Sequence, residues 1–159
     1  MKHLIFVALY ATIAFVLEII SGVLPNVALT PVLFAAYFKT GKHPILLIAT
    51  FLILELLQYG FGFWLFGMML GYFIWYVIVK LSDGFATVML SVPFAYLYGL
   101  AFLPLTWFIY RIDPIAYIIA DFPFATMMAM SNLITMAVLY KPLTRLLGGE
   151  YGEIHRGRH

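Results

Sequence analysis

The chain alternates between long apolar runs and short polar interruptions, and the interruptions mark out the elements. A first run covers residues 4–24 and stops at Pro25-Asn26. A shorter run, 27–38, holds Pro31 and is expected to be kinked or partly unwound. Lys39-Thr40-Gly41-Lys42 then turns the chain. The third run, 44–59, opens on Pro44, near the first helical position where proline is tolerated, and is broken by Gly60-Phe61-Gly62. The fourth, 63–81, ends at Ser82-Asp83-Gly84, and the fifth, 85–110, carries Pro93 and Pro104 as expected kinks. Residues 111–122 contain Asp113-Pro114 and Asp121 and read as a loop with a short helical piece. The sixth run, 123–147, leads into a polar tail, 148–159, expected to be mobile.

A helix needs about 20 apolar residues to cross the hydrocarbon, fewer where protein covers it. The pattern therefore predicts an all-α integral membrane protein of about six transmembrane helices. It forms a single domain over 1–147 with a cytoplasmic tail over 148–159. No repeat or low-complexity block divides it.

Composition agrees. Of 159 residues, 65% are hydrophobic and 10% charged, and the mean hydropathy is +1.03. Soluble domains carry about 25% charged residues, so a lipid-facing surface is the expected setting. The start, Met1-Lys2-His3 before an apolar run, has no small-residue cleavage site after it, so the first segment is expected to remain as a helix. The chain has no cysteine, which excludes disulfides and thiolate chemistry. The net charge of +2 gives no reason to expect a nucleic-acid partner.

Charge also orients the chain. With both termini in the cytoplasm, Lys2, Lys39, Lys42, Lys80, Lys141, Arg145, Arg156 and Arg158 fall inside and Arg111 alone falls outside. That puts eight of the nine Lys and Arg on one side, the bias the positive-inside rule describes. An odd number of helices would split them.

In this topology the outer connections are rich in aromatic and hydrogen-bonding groups. One runs from Gln58-Tyr59 to Trp64; another runs from Tyr110-Arg111 through Tyr117 to Asp121. Glu18 and Glu55 lie in the outer halves of the first and third helices. An ionisable group at membrane depth costs about 2.5–3.5 kcal/mol on insertion scales and usually faces protein or water. Glu55 shares a helical face with Gln58 and Tyr59, while Ser131 and Asn132 sit mid-way along the sixth helix. Glu55, Gln58, Tyr59, Trp64, Tyr117, Asp121 and Asn132 are candidates for one outward-facing, substrate-binding cavity. Each has a plainer role open to it. Glu55 could pair with Arg111, or stay protonated between helices. Asn132 could join two helices, at about 1 kcal/mol, and the aromatics could form an interfacial belt.

Small residues point to packing. Gly67-x-x-x-Gly71 is expected to seat a neighbour within the protein, and Ala8, Ala11 and Thr12 make one face of the first helix small enough to dock a partner. There is no Walker A sequence, H-E-x-x-H, G-x-S-x-G or clustered histidine, so neither an enzyme nor a cofactor or metal site is expected.

Taken together, Ala8-x-x-x-Thr12, Gly62-Phe63-Trp64, and Asp121-Phe122-Pro123-Phe124 continuing through Asn132 to Lys141-Pro142-Leu143 resemble the substrate-binding S components of energy-coupling factor (ECF) vitamin transporters. The pattern departs from that family at Thr12, where Ala is usual, and at Phe63, where Pro is common. The resemblance implies a six-helix subunit of a prokaryotic plasma membrane that captures a vitamin-like small molecule near the outer surface. Its partners would be a transmembrane coupling subunit, contacted by the small face of the first helix, and two cytoplasmic ATPases. An alternative class is a structural scaffold resembling the small MreD-type protein of the cell-wall elongation machinery, which needs no cavity. A small membrane enzyme would require a nucleophile–base constellation.

Overall fold

The computed structural model describes residues 2–21 and 29–156, with side chains described over 3–20 and 29–148. It is all-helical, with no strand among the described residues. In chain order the helices are α1 (Lys2–Ser21), α2 (Thr30–Thr40), α3 (Pro44–Tyr59), α4 (Trp64–Leu81), α5 (Gly84–Ala101), α6 (Leu103–Phe108) and α7 (Pro114–Arg156).

Local chemistry explains most of the boundaries. Pro31, Pro44 and Pro104 all sit in the first turn of their helices, where the missing N–H has no partner to lose. Gly60 ends α3 at φ 78°, a conformation that favours glycine, and its N–H caps the Leu56 carbonyl at 2.9 Å. Asp113 starts α7: its Oδ1 accepts the N–H groups of Ile115 and Ala116, both at 3.0 Å.

Those caps correct several expectations. Asp113-Pro114 is a helix start, so from Pro114 onward the expected loop 111–122 is the first turns of α7. That helix continues through Pro123 and Pro142 and on into the expected tail as far as Arg156. The expected fifth span is two helices, interrupted at Phe102 just before Pro104. The helix expected over 27–38 begins at Thr30, and Pro31 starts it instead of kinking it. Pro25-Asn26 lies outside the described residues.

Packing follows a ring. α1 lies against α3, α3 against α4, α4 against α5, and α5 against α7; α2 fills the gap between α7 and α1 and also touches α4. Every residue of α2 from Thr30 to Phe38 is buried. At 11 residues it is about 16 Å long, half the thickness of a bilayer's hydrocarbon. Two hydrogen bonds pin it: Tyr10 Oη donates to Leu33 O at 2.7 Å and Trp75 Nε1 to Pro31 O at 2.8 Å.

The Gly67-x-x-x-Gly71 stripe is a seat for α5. A methyl group on Gly67 would collide with the Phe102 ring, and one on Gly71 with the Tyr98 ring. The stripe thus packs within the protein, as its spacing suggested.

The outside is as apolar as the inside. Leu9, Ile13, Leu57, Phe66, Phe73, Met130 and Ile134 are exposed on four different helices. A water-soluble chain rarely presents such continuous apolar surface. Among the described residues four stretches are long and apolar enough to cross a membrane: His3–Ile20, Trp64–Leu81, Gly84–Phe108 and Pro114–Gly148. The chain is compatible with a multi-pass membrane protein. One end of the bundle carries the exposed residues Lys39, Lys42, Lys80, Lys141 and Arg145. The opposite end carries the α3–α4 turn and the α6–α7 connection.

Candidate binding site: a polar cluster inside the apolar bundle

Away from the lysines, five elements direct polar side chains inward. Thr30, the first residue of α2, donates its hydroxyl to Glu18 Oε2 of α1. Glu55 of α3 is buried at 4% exposure. Tyr72 of α4 and Tyr98 of α5 meet ring to ring, with centroids 5.6 Å apart. Thr30 stands one turn before Phe34 and Glu55 one turn after Phe51, and the Phe34 and Phe51 rings lie 4.7 Å and 5.5 Å from that of Tyr72. Groups from α1, α2, α3, α4 and α5 thus form one cluster.

The reason for the convergence is geometric. Because α2 is short and central, its N-terminus ends inside the bundle, and the longer helices around it turn polar groups into the space beside that end. Burial of these groups is costly unless they find partners, which drives them together.

Aromatic rings pack around the cluster. Phe34 lies 4.7 Å from Tyr72 and 5.1 Å from Phe51, ring centre to ring centre. Trp75 stacks on Phe94 at 4.4 Å, and Phe94 meets Tyr98 edge-on at 5.8 Å. Such edge and offset contacts hold rings in place.

Tyr98 also faces a second space. A cavity of about 200 Å³ between α5 and α7 is lined by Tyr98, Gly99, Phe102, Tyr117 and Asp121 among others. Tyr117 Oη donates to Gly99 O at 2.9 Å. The Asp121 carboxylate packs so closely on Gly99 that any side chain there would strike it. Glycine is therefore what lets α7's carboxylate approach α5.

The structure divides the expected site residues into groups. Glu55 belongs to the cluster, and Tyr117 and Asp121 adjoin it through the shared Tyr98. Gln58 and Tyr59 are exposed at the end of α3. Tyr59 meets half-buried Trp64 edge-on at 6.2 Å across the α3–α4 turn, so these rings border the site without entering it. Asn132 stands apart: it is fully buried, Nδ2 donates to Ser91 O at 3.3 Å, and Oδ1 has no hydrogen-bond partner. It joins α7 to α5. Arg111 is exposed with φ 59°, and no ion pair links it to Glu55 among the described residues.

On α1 the small face splits. Ala8 and Thr12 are exposed, with Thr12 Oγ1 bonded to Ala8 O at 2.9 Å. Ala11 is wholly buried in the core and cannot touch a partner.

Tyr72, Tyr98 and Glu18 are not among the expected site residues. A signal existed for the tyrosines: each sits mid-run in an apolar helix, where a buried hydroxyl needs a partner.

Comparison with protein-family models, with curated proteins and with solved structures finds no match. The chemistry must be read from the site itself. Carboxylates and hydroxyls among aromatic rings can orient a small molecule by hydrogen bonds and hold a ring by stacking. Among the described residues no group of His, Asp and Glu is placed to share a metal ion.

Proposed function

We propose that this protein is the substrate-specific membrane subunit of an ECF-type importer, binding a vitamin-like small molecule. In this reading the chain crosses the membrane six times, with α5 and α6 together making the fifth crossing. The basic end and both termini lie in the cytoplasm. The polar cluster opens outward, and the chain sits in a prokaryotic plasma membrane.

One observation carries the reading. Glu18 with Thr30, Glu55, and the ring pair Tyr72 and Tyr98 are drawn from helices around α2, inside the bundle and away from the lysines. A scaffold that only packs against neighbours has no use for two inward carboxylates in an aromatic chamber, whereas a solute-binding subunit does. The ligand side of the site is Glu55 and Glu18 with Tyr72 and Tyr98. Tyr117 and Asp121 stand on the α7 side, and Trp64 and Tyr59 at the rim. The cluster contains acids and no Lys or Arg among the described residues, which favours a ligand that is cationic or rich in hydrogen-bond donors.

Ala8 and Thr12 remain the residues through which α1 contacts the coupling subunit, since both are exposed on an apolar helix face. Transport energy would come from the two cytoplasmic ATPases.

The test is thermal unfolding of the detergent-purified protein against a panel of vitamins and their precursors. A ligand at 100 times its dissociation constant stabilises by about 2.7 kcal/mol. A clear shift with one compound supports the reading and names the substrate. A folded protein that responds to none favours the scaffold.

A further inference from the structure

The basic end holds a cavity that the binding reading does not use. It occupies about 520 Å³ between the end of α2, the start of α5 and the stretch of α7 from Met136 to Thr144. Lys39, Lys141 and Thr144 line its polar part, and Phe85, Met136 and Ala137 its apolar part.

Three features give the polar part an affinity for anions. Lys39 Nζ donates to Ser82 O at 2.6 Å and lies 3.7 Å from Asp83 Oδ1. An ammonium has three donors, so capacity remains toward the cavity. The exposed Lys141 brings a second positive charge from another helix. Asp83, the residue before α5, makes no side-chain cap, and the first backbone bond of that helix runs from Thr87 N to Asp83 O at 2.8 Å. The first-turn N–H groups are thus left without a side-chain cap, and Gly84 and Phe85 of that turn line the cavity, which brings the positive end of the helix dipole beside it. Nothing would obstruct even a methyl group on Gly84, so that turn is open.

The apolar part decides what kind of anion fits. Thr144 to Met136 spans about 12 Å along α7. Over that depth the lining changes from charged and hydroxylic to wholly apolar. Phe85 and Ala137 are both exposed, so the apolar part of the cavity is open at the side. A free inorganic anion has no use for that wall, while a phospholipid presents a phosphate at one level and acyl chain just below it.

We propose that this cavity is a binding site for an anionic phospholipid, with its phosphate between Lys39, Lys141 and the first turn of α5 and its acyl chain against Phe85, Met136 and Ala137. The lipid ties α2, α5 and α7 together at the end of the bundle where the basic residues gather.

The experiment is thermal unfolding of the delipidated full-length chain in detergent. It is titrated separately with dioleoyl phosphatidylglycerol, dioleoyl phosphatidylcholine and inorganic phosphate. Phosphatidylglycerol is expected to raise the unfolding temperature saturably, and the other two are not. Lys141→Gln, at an exposed position, should weaken the phosphatidylglycerol effect about fivefold. Ala137→Phe, also exposed, leaves both lysines in place and should abolish the effect by filling the apolar part. Equal stabilisation by both lipids would overturn the proposal, as would stabilisation by phosphate alone or an undiminished phosphatidylglycerol response in both variants.

Discussion

The two ends of the bundle handle charge in opposite ways. At the basic end, Lys39, Lys42, Lys80, Lys141 and Arg145 stand exposed. The ion pair of Lys39 with Asp83 has a fully exposed acid. Charges in that position cost almost nothing to keep, and surface pairs of this kind contribute about 0–1 kcal/mol. At the other end Glu18 and Glu55 are drawn into the protein among tyrosines. Each such group costs roughly 2.5–3.5 kcal/mol at membrane depth before it finds partners. Position explains the first set, and only interactions can explain the second. That contrast is why the inward end is read as the site where a solute binds.

The contrast is most exposed to failure at Glu55. Glu55→Ala should lower ligand affinity by about 30-fold or more, the effect of truncating a buried charged partner. The variant should remain folded. Ligand titrations by thermal shift measure this; a variant that is destabilised yet binds unchanged would make Glu55 a packing residue and remove the distinction between the ends.

A smaller effect is expected at Gly71, which sets where Tyr98 sits. Gly71→Leu forces the Tyr98 ring out of its seat and should destabilise the protein by about 1–3 kcal/mol. Ligand affinity should fall with it. Unfolding in detergent checks the first effect, and ligand titration the second. If stability drops while affinity holds, Tyr98 belongs to packing alone.

Asn132 should show the least. Its amide makes one 3.3 Å bond to Ser91 O and leaves Oδ1 unpartnered. Asn132→Leu removes the hydrogen bond and the unsatisfied oxygen together, so stability should change by less than about 1 kcal/mol, with ligand affinity unaltered. Lost binding in this variant would extend the site to the middle of α7.

How far the sequence could be read depended on the residue. Glu55 was legible because a lone carboxylate in an apolar run must face protein or water. The role of Gly67 and Gly71 was legible because their spacing leaves one helix face without side chains. The start of α7 was misread because Asp-Pro opens a helix as readily as it opens a loop, and only the bonds from Ile115 and Ala116 to Asp113 distinguish the two. On α1 the reading placed Ala8, Ala11 and Thr12 on one docking face, whereas packing turned Ala11 into the core.

These outcomes separate two kinds of information. By itself the sequence determined that the chain is built of apolar helices, where most of them break, and that a carboxylate in the third must face protein or water. Each follows from local composition or from the cost of an isolated polar group in hydrocarbon. Only the tertiary structure decided which face of each helix turns inward, that short α2 is central, and that Glu18, Tyr72 and Tyr98 meet Glu55. The physical reason is the solvent. In water, a helix's apolar stripe marks the core. In lipid the surroundings are as apolar as the interior, so the stripe disappears, and small residues, hydrogen bonds and ring contacts choose the inward face.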